Sequence, residues 1–338
     1  PFLGIAALSS CGSSKKVEHS HPYNIVFIMS DDHTRQMMSC YDKHHIETPN
    51  LDRIAEGGVI FTNAFVANSI SGPSRACLLT GKHSHKNGKL DNRTAFDGSQ
   101  QTVQELLQQA GYQTAMIGKW HLDGEPKHFD HWEILPGQGD YYNPDFLTAE
   151  GRKRYEGYVT DIITDLSLDW LEKERDKDKP FCLFIHHKAI HRNWMSDTTH
   201  LDAYEDKTFE LPSNFFDDYA GRIAASQQEM SIAKDMDMVY DLKMMRDSVH
   251  TRLSKTYSDN VYGRMNEAQR AAWDRHYQPI IDSFYASHLE GKELAEWKYQ
   301  RYLCDYAKVV KSLDENVGEV LDYLEKNGMM ENTIVFYT

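Results

Sequence analysis

The sequence predicts an α/β fold, a mainly parallel sheet sandwiched by helices. Three observations point there. Four short runs are almost continuous in Val, Ile, Phe and similar residues, as strands covered on both faces require. Helical patterns lie between the runs, the alternation that builds parallel sheets. Clusters of reactive polar residues stand just beyond the carboxyl ends of three runs, where open sheets of this kind hold their ligands.

In chain order, residues 24–29 are the first run, and residues 71–81 give a turn leading into a short helix. Residues 102–110 form a helix that stops at Gly111, a usual C-terminal signal. Residues 114–117 are the second strand. Residues 159–174 put Ile162, Ile163, Leu166, Trp170 and Leu171 on one stripe, and 181–185 are the third strand. From 199 to 296 the chain turns rich in Met, Tyr and charge without clear strands, and a helical insertion on the sheet is expected. Tyr302, Tyr306, Val309, Val310, Leu313, Val317, Val320, Leu321 and Leu324 form a longer stripe closed by Asn327-Gly328, and 333–337 are the fourth strand.

The 338 residues, 40% hydrophobic and 26% charged, suffice for a large core and exclude wholesale disorder. A formal net charge of −14 excludes nucleic acid as a partner, because phosphate binding needs a basic face. An anionic substrate then needs a local basic pocket, which screening permits beyond roughly 8–10 Å of opposing surface charge. Cys40, Cys77, Cys182 and Cys304 show no C-x-x-C spacing, which disfavours zinc.

The three strand exits carry the chemistry. Asp31 and Asp32 follow the first strand, and adjacent carboxylates need a compensating cation, a hard divalent metal being the natural one. Lys119 and His121, two residues apart after the second strand, point the same way in extended chain and pair a fixed charge with a proton carrier. Lys188 and His191 do the same after the third. Each is unremarkable alone as a capped loop or exposed base; two basic pairs converging on a carboxylate pair is not. Ser71-Gly72-Pro73-Ser74-Arg75 opens a short helix whose N-terminus suits an anion, although no G-x-S-x-G elbow supports a plain serine nucleophile.

With these residues in view, the chain resembles the type I sulfatases of the alkaline-phosphatase-like superfamily. Ser71 to Gly81 matches their (Cys or Ser)-x-Pro-Ser-Arg-x-x-x-Leu-Thr-Gly signature, while Asp31-Asp32, Gly118-Lys119-Trp120-His121 and His187-Lys188 through His191 match three further motifs in family order. The resemblance implies that Ser71 is oxidised to formylglycine (3-oxoalanine) by a sulfatase-maturating radical S-adenosylmethionine enzyme. One hydroxyl of its hydrate attacks sulfur, and loss of a proton from the other expels sulfate and restores the aldehyde. It further implies Ca2+ on Asp31, Asp32 and the Ser71-derived group, Arg75 stabilising that group, Lys119 and Lys188 on sulfate oxygens, His121 acting on the hydrate and His191 on the departing oxygen. The stretches 161–165, 81–85 and H-K-A-x-H-x-x-W look most like the N-acetylglucosamine-6-sulfatase branch, acting on heparan-type or mucin glycans. Iduronate 2-sulfatases, phosphodiesterases or phosphonate monoester hydrolases of the superfamily, and a glycan-binding lipoprotein without catalysis are the alternatives.

Two expectations concern the ends. Phe2 to Leu8 reads like the end of an apolar signal, and Leu8-Ser9-Ser10-Cys11-Gly12 resembles a bacterial lipobox with Cys11 as the lipidated residue. Residues 1–20 are then leader and tether, 21–338 the catalytic domain, and the protein is periplasmic or on the cell surface, touching membrane only through that lipid. No later stretch nears the roughly 18 apolar residues that span a bilayer. In sulfatases the remaining calcium ligands, a second lysine and a smaller subdomain follow a strand like 333–337. The expectation is therefore a fragment, inactive as written, because two aspartates and one hydrate fall short of roughly 6–8 oxygens.

Overall fold

The computed structural model describes residues 22–338; Cys11 and its lipobox-like run lie outside them. A single seven-stranded sheet has the order β5-β4-β3-β2-β6-β1-β7. Strands β1 (Asn24–Met29), β2 (Gln113–Lys119), β3 (His131–Leu135), β6 (Phe181–His186) and β7 (Thr333–Tyr337) run parallel, while at one edge β4 (Asp145–Thr148) pairs antiparallel with β3 and β5 (Gly151–Arg154) antiparallel with β4. Four of these strands match the apolar runs.

Alternation along the central strands feeds two cores. Val26, Ile28, Ala115, Ile117, Leu183 and Ile185 face one side, and Met116, Cys182 and Phe184 the other. The helices are α1 (Pro49–Glu56), α2 (Ser71–Thr80), α3 (Ser84–Asn87), α4 (Val103–Gln109), α5 (Val159–Asp169), α6 (Ile223–Ser226), α7 (Ile232–Asp235), α8 (Ser254–Asn260), α9 (Glu267–Ser287) and α10 (Gly291–Lys326). Helices α5 and α10 pack together over the first core, with Val309, Val310, Leu313 and Val317 fully buried, while Leu79 of α2 and Leu107 of α4 join the second.

The 199–296 stretch differs from a helical insertion in its first half. Residues 199–253 hold only the single-turn helices α6 and α7, and regular helix begins at α8. Side chains that satisfy backbone donors locally take the place of helical periodicity: Asp237 Oδ1 accepts from the N–H groups of Val239 and Tyr240, at 2.9 Å each. The predicted 159–174 helix ends earlier, at Asp169, and finishes in a wide π-type turn over Trp170–Glu174.

One glycine sets how closely the central strands approach. Gly118 has φ +104°, and a Cβ there would fall 2.0 Å from the His186 carbonyl oxygen on β6. Gly118→Ala is expected to cost more than the roughly 1–3 kcal/mol of backbone strain alone, because the obstacle is backbone. Thermal unfolding measures it; a melting temperature equal to the parent's would show that the strands can part there.

Candidate active site

Backbone hydrogen bonds lock the strand exits together. Asp31 N–H donates to Ala189 O (2.8 Å), Ile190 N–H donates to Asp31 O (2.7 Å), and His187 N–H donates to Met29 O (2.8 Å). The turn after β1 needs Asp32 at φ +62°, a conformation that Asp tolerates better than most residues. Tyr306 of α10 pins that turn, donating its hydroxyl to Asp32 O (2.7 Å) and accepting from Thr34 N–H (2.9 Å).

The eight predicted site residues within the described chain fall into three contacting groups: Asp31, Arg75, Lys119 and, through Gln138, Lys188; Ser71 with His121; and Asp32 with His191. Lys119, fully buried, donates to Asp31 Oδ2 and to Gln138 Oε1 (2.5 Å). Arg75, 1% exposed, donates from Nη1 to Lys119 O (2.6 Å) and to His186 Nδ1 (2.9 Å), and its Nη2 stands 3.7 Å from Asp31 Oδ1. Ser71 Oγ lies 2.7 Å from His121 Nδ1. Lys188 donates to Gln138 O (3.2 Å) and sits over the Tyr141 ring (4.8 Å). His191 Nε2 is 3.9 Å from Asp32 Oδ2.

The route by which Lys119 and His121 converge is not the extended one. Strand β2 ends at Lys119, and His121 takes φ +50°, so the chain turns there. His121 reaches Ser71 through a turn while Lys119 meets Asp31 from the strand.

Electrostatics follow from crowding these groups in a poorly solvated corner. Burial penalises the Asp31 carboxylate, but Lys119 and Arg75 outweigh it and hold the group below its usual range. Asp32 is pushed upward by burial and by the Asp31 charge. Burial, then Lys119 and Arg75, lowers His121 to about 4, leaving a neutral imidazole at neutral pH. His191 falls to about 4 through burial, Lys119 and Lys188, and Lys188 falls to about 8 through burial and Lys119. His191 Nδ1 donates to Arg192 O (2.7 Å), so neutral His191 presents a lone pair at Nε2 and donates there only when protonated.

The donor chemistry suits a hard cation. Two adjacent carboxylates, one raised by its neighbour, are oxygen ligands that a divalent ion would relieve. Among the described residues no group of three or more His, Cys, Asp or Glu is placed to hold a metal ion, so Asp31 and Asp32 would supply only part of a shell of roughly 6–8 oxygens.

Sequence reasoning passed over Gln138, which links Lys119 to Lys188; its only signal was a polar residue between glycines. Asn92, whose Oδ1 accepts from Gly72 N–H (3.0 Å) and seats the start of α2, gave no local signal. The 161–165 stretch falls within α5, where Asp161 accepts from Asn316 Nδ2 (2.9 Å), a packing contact.

Carboxylates, lysines and an arginine gather at the carboxyl ends of a mainly parallel sheet, with a serine–histidine pair beside them, on the fold of the alkaline-phosphatase-like class. A profile of the sulfatase family matches residues 23–338, and the chain belongs to that family. The N-acetylglucosamine-6-O-sulfatase of Bacteroides thetaiotaomicron is 50% identical over 345 residues, all of this chain and 61% of that protein. The N-acetylgalactosamine-6-sulfatase of Homo sapiens is 31% identical over 261 residues, 65% of this chain and 47% of that protein. A protein solved in complex with its substrate D-glucosamine-2-N,6-O-disulfate superposes with a TM-score of 0.88 at 50% identity, over 94% of this chain and 65% of that one. The chain spans about three-fifths of the first relative's length.

Proposed function

We propose that the protein is a sulfuric ester hydrolase that removes 6-O-sulfate from N-acetylglucosamine or glucosamine in heparan-type or mucin glycans. The observation that carries this reading is the 2.7 Å contact of Ser71 Oγ with His121 Nδ1, set beside the buried Lys119–Asp31–Arg75 cluster. The 50% identity to a 6-O-sulfatase supports the choice of substrate.

Each residue then has a task. His121, neutral at its lowered pKa, accepts a proton at Nδ1 from the oxygen at position 71. Lys119 and Lys188 neutralise charge on the non-bridging sulfate oxygens. The anionic group between these cations raises His191 towards protonation, and His191 then donates from Nε2 to the departing sugar oxygen. Arg75 holds the loop before His121 through Lys119 O. Calcium, held by Asp31, Asp32 and the group at position 71, supplies Lewis-acid polarisation of sulfate when bound. Formylglycine at position 71, made by a maturating radical enzyme, supplies a hydrated aldehyde in place of a hydroxyl. The lipobox-like run alone supports a lipid at Cys11 and a periplasmic or surface location.

The Ser71–His121 contact also favours a second reading, an unmodified serine with His121 as its base. Peptide mass spectrometry of protein active as isolated separates the two. The proposal expects a Ser71 peptide lighter by two hydrogen atoms and faster sulfate release from 6-sulfated N-acetylglucosamine than from 2-sulfated uronate. Full activity with intact Ser71 removes the aldehyde, and the opposite substrate ranking removes the 6-O assignment.

A further inference from the structure

A small polar recess adjoins the cationic corner. Its volume is about 40 Å³, and Asp140, Lys188 and Asn193 line it from the sheet side while Tyr240, Asn260 and Arg264 close it from the 199–296 stretch. That space exceeds the roughly 10–15 Å³ that one water needs, and it suits a hydroxyl group better than a sugar ring.

Its polar atoms are built in. Asn193 is 3% exposed, and its side-chain Nδ2 has no hydrogen-bond partner among the described residues. Native structures rarely leave such a donor unsatisfied, and lining the recess leaves this one available to a group that enters. Asp140 is held by Arg264 Nη1 at 3.3 Å, and Arg264 in turn donates to Asn143 O (2.6 Å) and Tyr142 O (3.3 Å). The Tyr240 ring carries the Arg192 guanidinium 5.3 Å from its centre, and Arg192 is forked onto Asp241 at 2.5 and 2.8 Å. A fixed amide donor, a fixed carboxylate acceptor and a phenol in one recess match a group that both donates and accepts. The Asp140 carboxylate disfavours a second sulfate there.

We propose that this recess takes a ring hydroxyl of the hexosamine whose sulfate lies on Lys119 and Lys188, which makes the 199–296 stretch a sugar-recognition element. This rests on the sulfatase reading. Lys188 lines the recess and shares Gln138 with Lys119, so one substrate can span both. A sulfate without a sugar fills the cradle and leaves the recess untouched.

Calorimetric titration of the full-length protein with 6-sulfated N-acetylglucosamine and, separately, with inorganic sulfate tests this. Tyr240→Phe keeps the ring and Asn193→Ala removes the orphan amide; melting temperatures report folding. Each variant is expected to weaken sugar-sulfate binding about three- to tenfold, one neutral hydrogen bond, and to leave inorganic sulfate binding unchanged. Unchanged sugar-sulfate binding in Tyr240→Phe and Asn193→Ala, or equal loss for both ligands, overturns the proposal. Parent protein that binds the sugar sulfate, loses that binding in the variants and yet releases no sulfate leaves the recess standing and removes the hydrolase reading. Parent protein that binds neither ligand overturns both.

Discussion

Ser71→Ala in the mature protein is expected to lower kcat on the order of 10⁵-fold or more, the scale on which removing a covalent nucleophile acts, while the melting temperature stays with the parent's. The separation follows from what Ser71 touches. Its side chain is half-buried and contacts His121 Nδ1. The α2 start is seated by other groups, the Gly72 N–H on Asn92 and the Ser74 N–H on Ile70 O (2.8 Å), and alanine suits a helix. Lys119→Met behaves differently. It removes the cation beside the sulfate and strips buried Asp31 of its main partner, so stability falls by about 3–5 kcal/mol along with activity. Steady-state kinetics beside thermal unfolding distinguish the two. Residual activity in Ser71→Ala within about tenfold of the parent's would take the nucleophile away from position 71.

What could be foreseen in this molecule divides along a physical line. Four of the five parallel strands were legible as continuous apolar runs, although only β2 and β6 are buried along nearly their whole length and the edge strand β7 leaves Ile334 and Phe336 exposed. Strands β3 to β5 were not. β5 is the exposed run Gly-Arg-Lys-Arg, and β3 opens with His131, Trp132 and Glu133, all part-exposed at the antiparallel edge. Missing β3 hid Gln138, because a polar residue gains meaning only once its position beyond a strand end is known. Asp31, Asp32, Lys119 and Lys188 were legible because charge directly after a buried strand is costly without a purpose. Contacts that span the chain leave no local trace: Tyr306 reaches Asp32 across 274 positions, and Arg264 secures Asn143 across 121. The extended-chain argument for Lys119 and His121 gave the right neighbourhood by the wrong path, because the turn at φ +50° was invisible in the residue types.

The same long-range contacts carry the largest stability effect, centred on Asp305. This fully buried residue of α10 accepts from Arg301 Nη2 (2.6 Å), Tyr277 OH (2.9 Å) and Lys243 Nζ (3.0 Å), with Lys308 Nζ at 3.8 Å. Glu205, forked onto Arg301 at 2.8 and 2.9 Å, is the cluster's other carboxylate. Burial raises the Asp305 pKa, but Arg301, Lys243 and Lys308 outweigh it and hold the group at about 2. A carboxyl depressed in the folded state adds stability above its unfolded pKa of about 3.9, and that contribution is lost as pH falls through about 2. Asp305→Ala leaves buried Lys243 without its carboxylate partner and Arg301 and Lys308 with Glu205 alone, a loss of about 3–5 kcal/mol or more and about 10 °C in melting temperature. Asp305→Asn keeps the shape without the charge, so its stability should depend less on pH between about 4 and 2 than the parent's. Acid titrations of both proteins, followed by circular dichroism, measure that difference, and parallel curves would remove Asp305 as the group responsible. The consequence reaches the site, because Tyr306, the next residue on α10, holds the Asp32 turn. Loosening this cluster should therefore weaken the calcium binding proposed for Asp31 and Asp32 before the protein unfolds, a coupling that calcium titration of Asp305→Asn below its melting temperature can register.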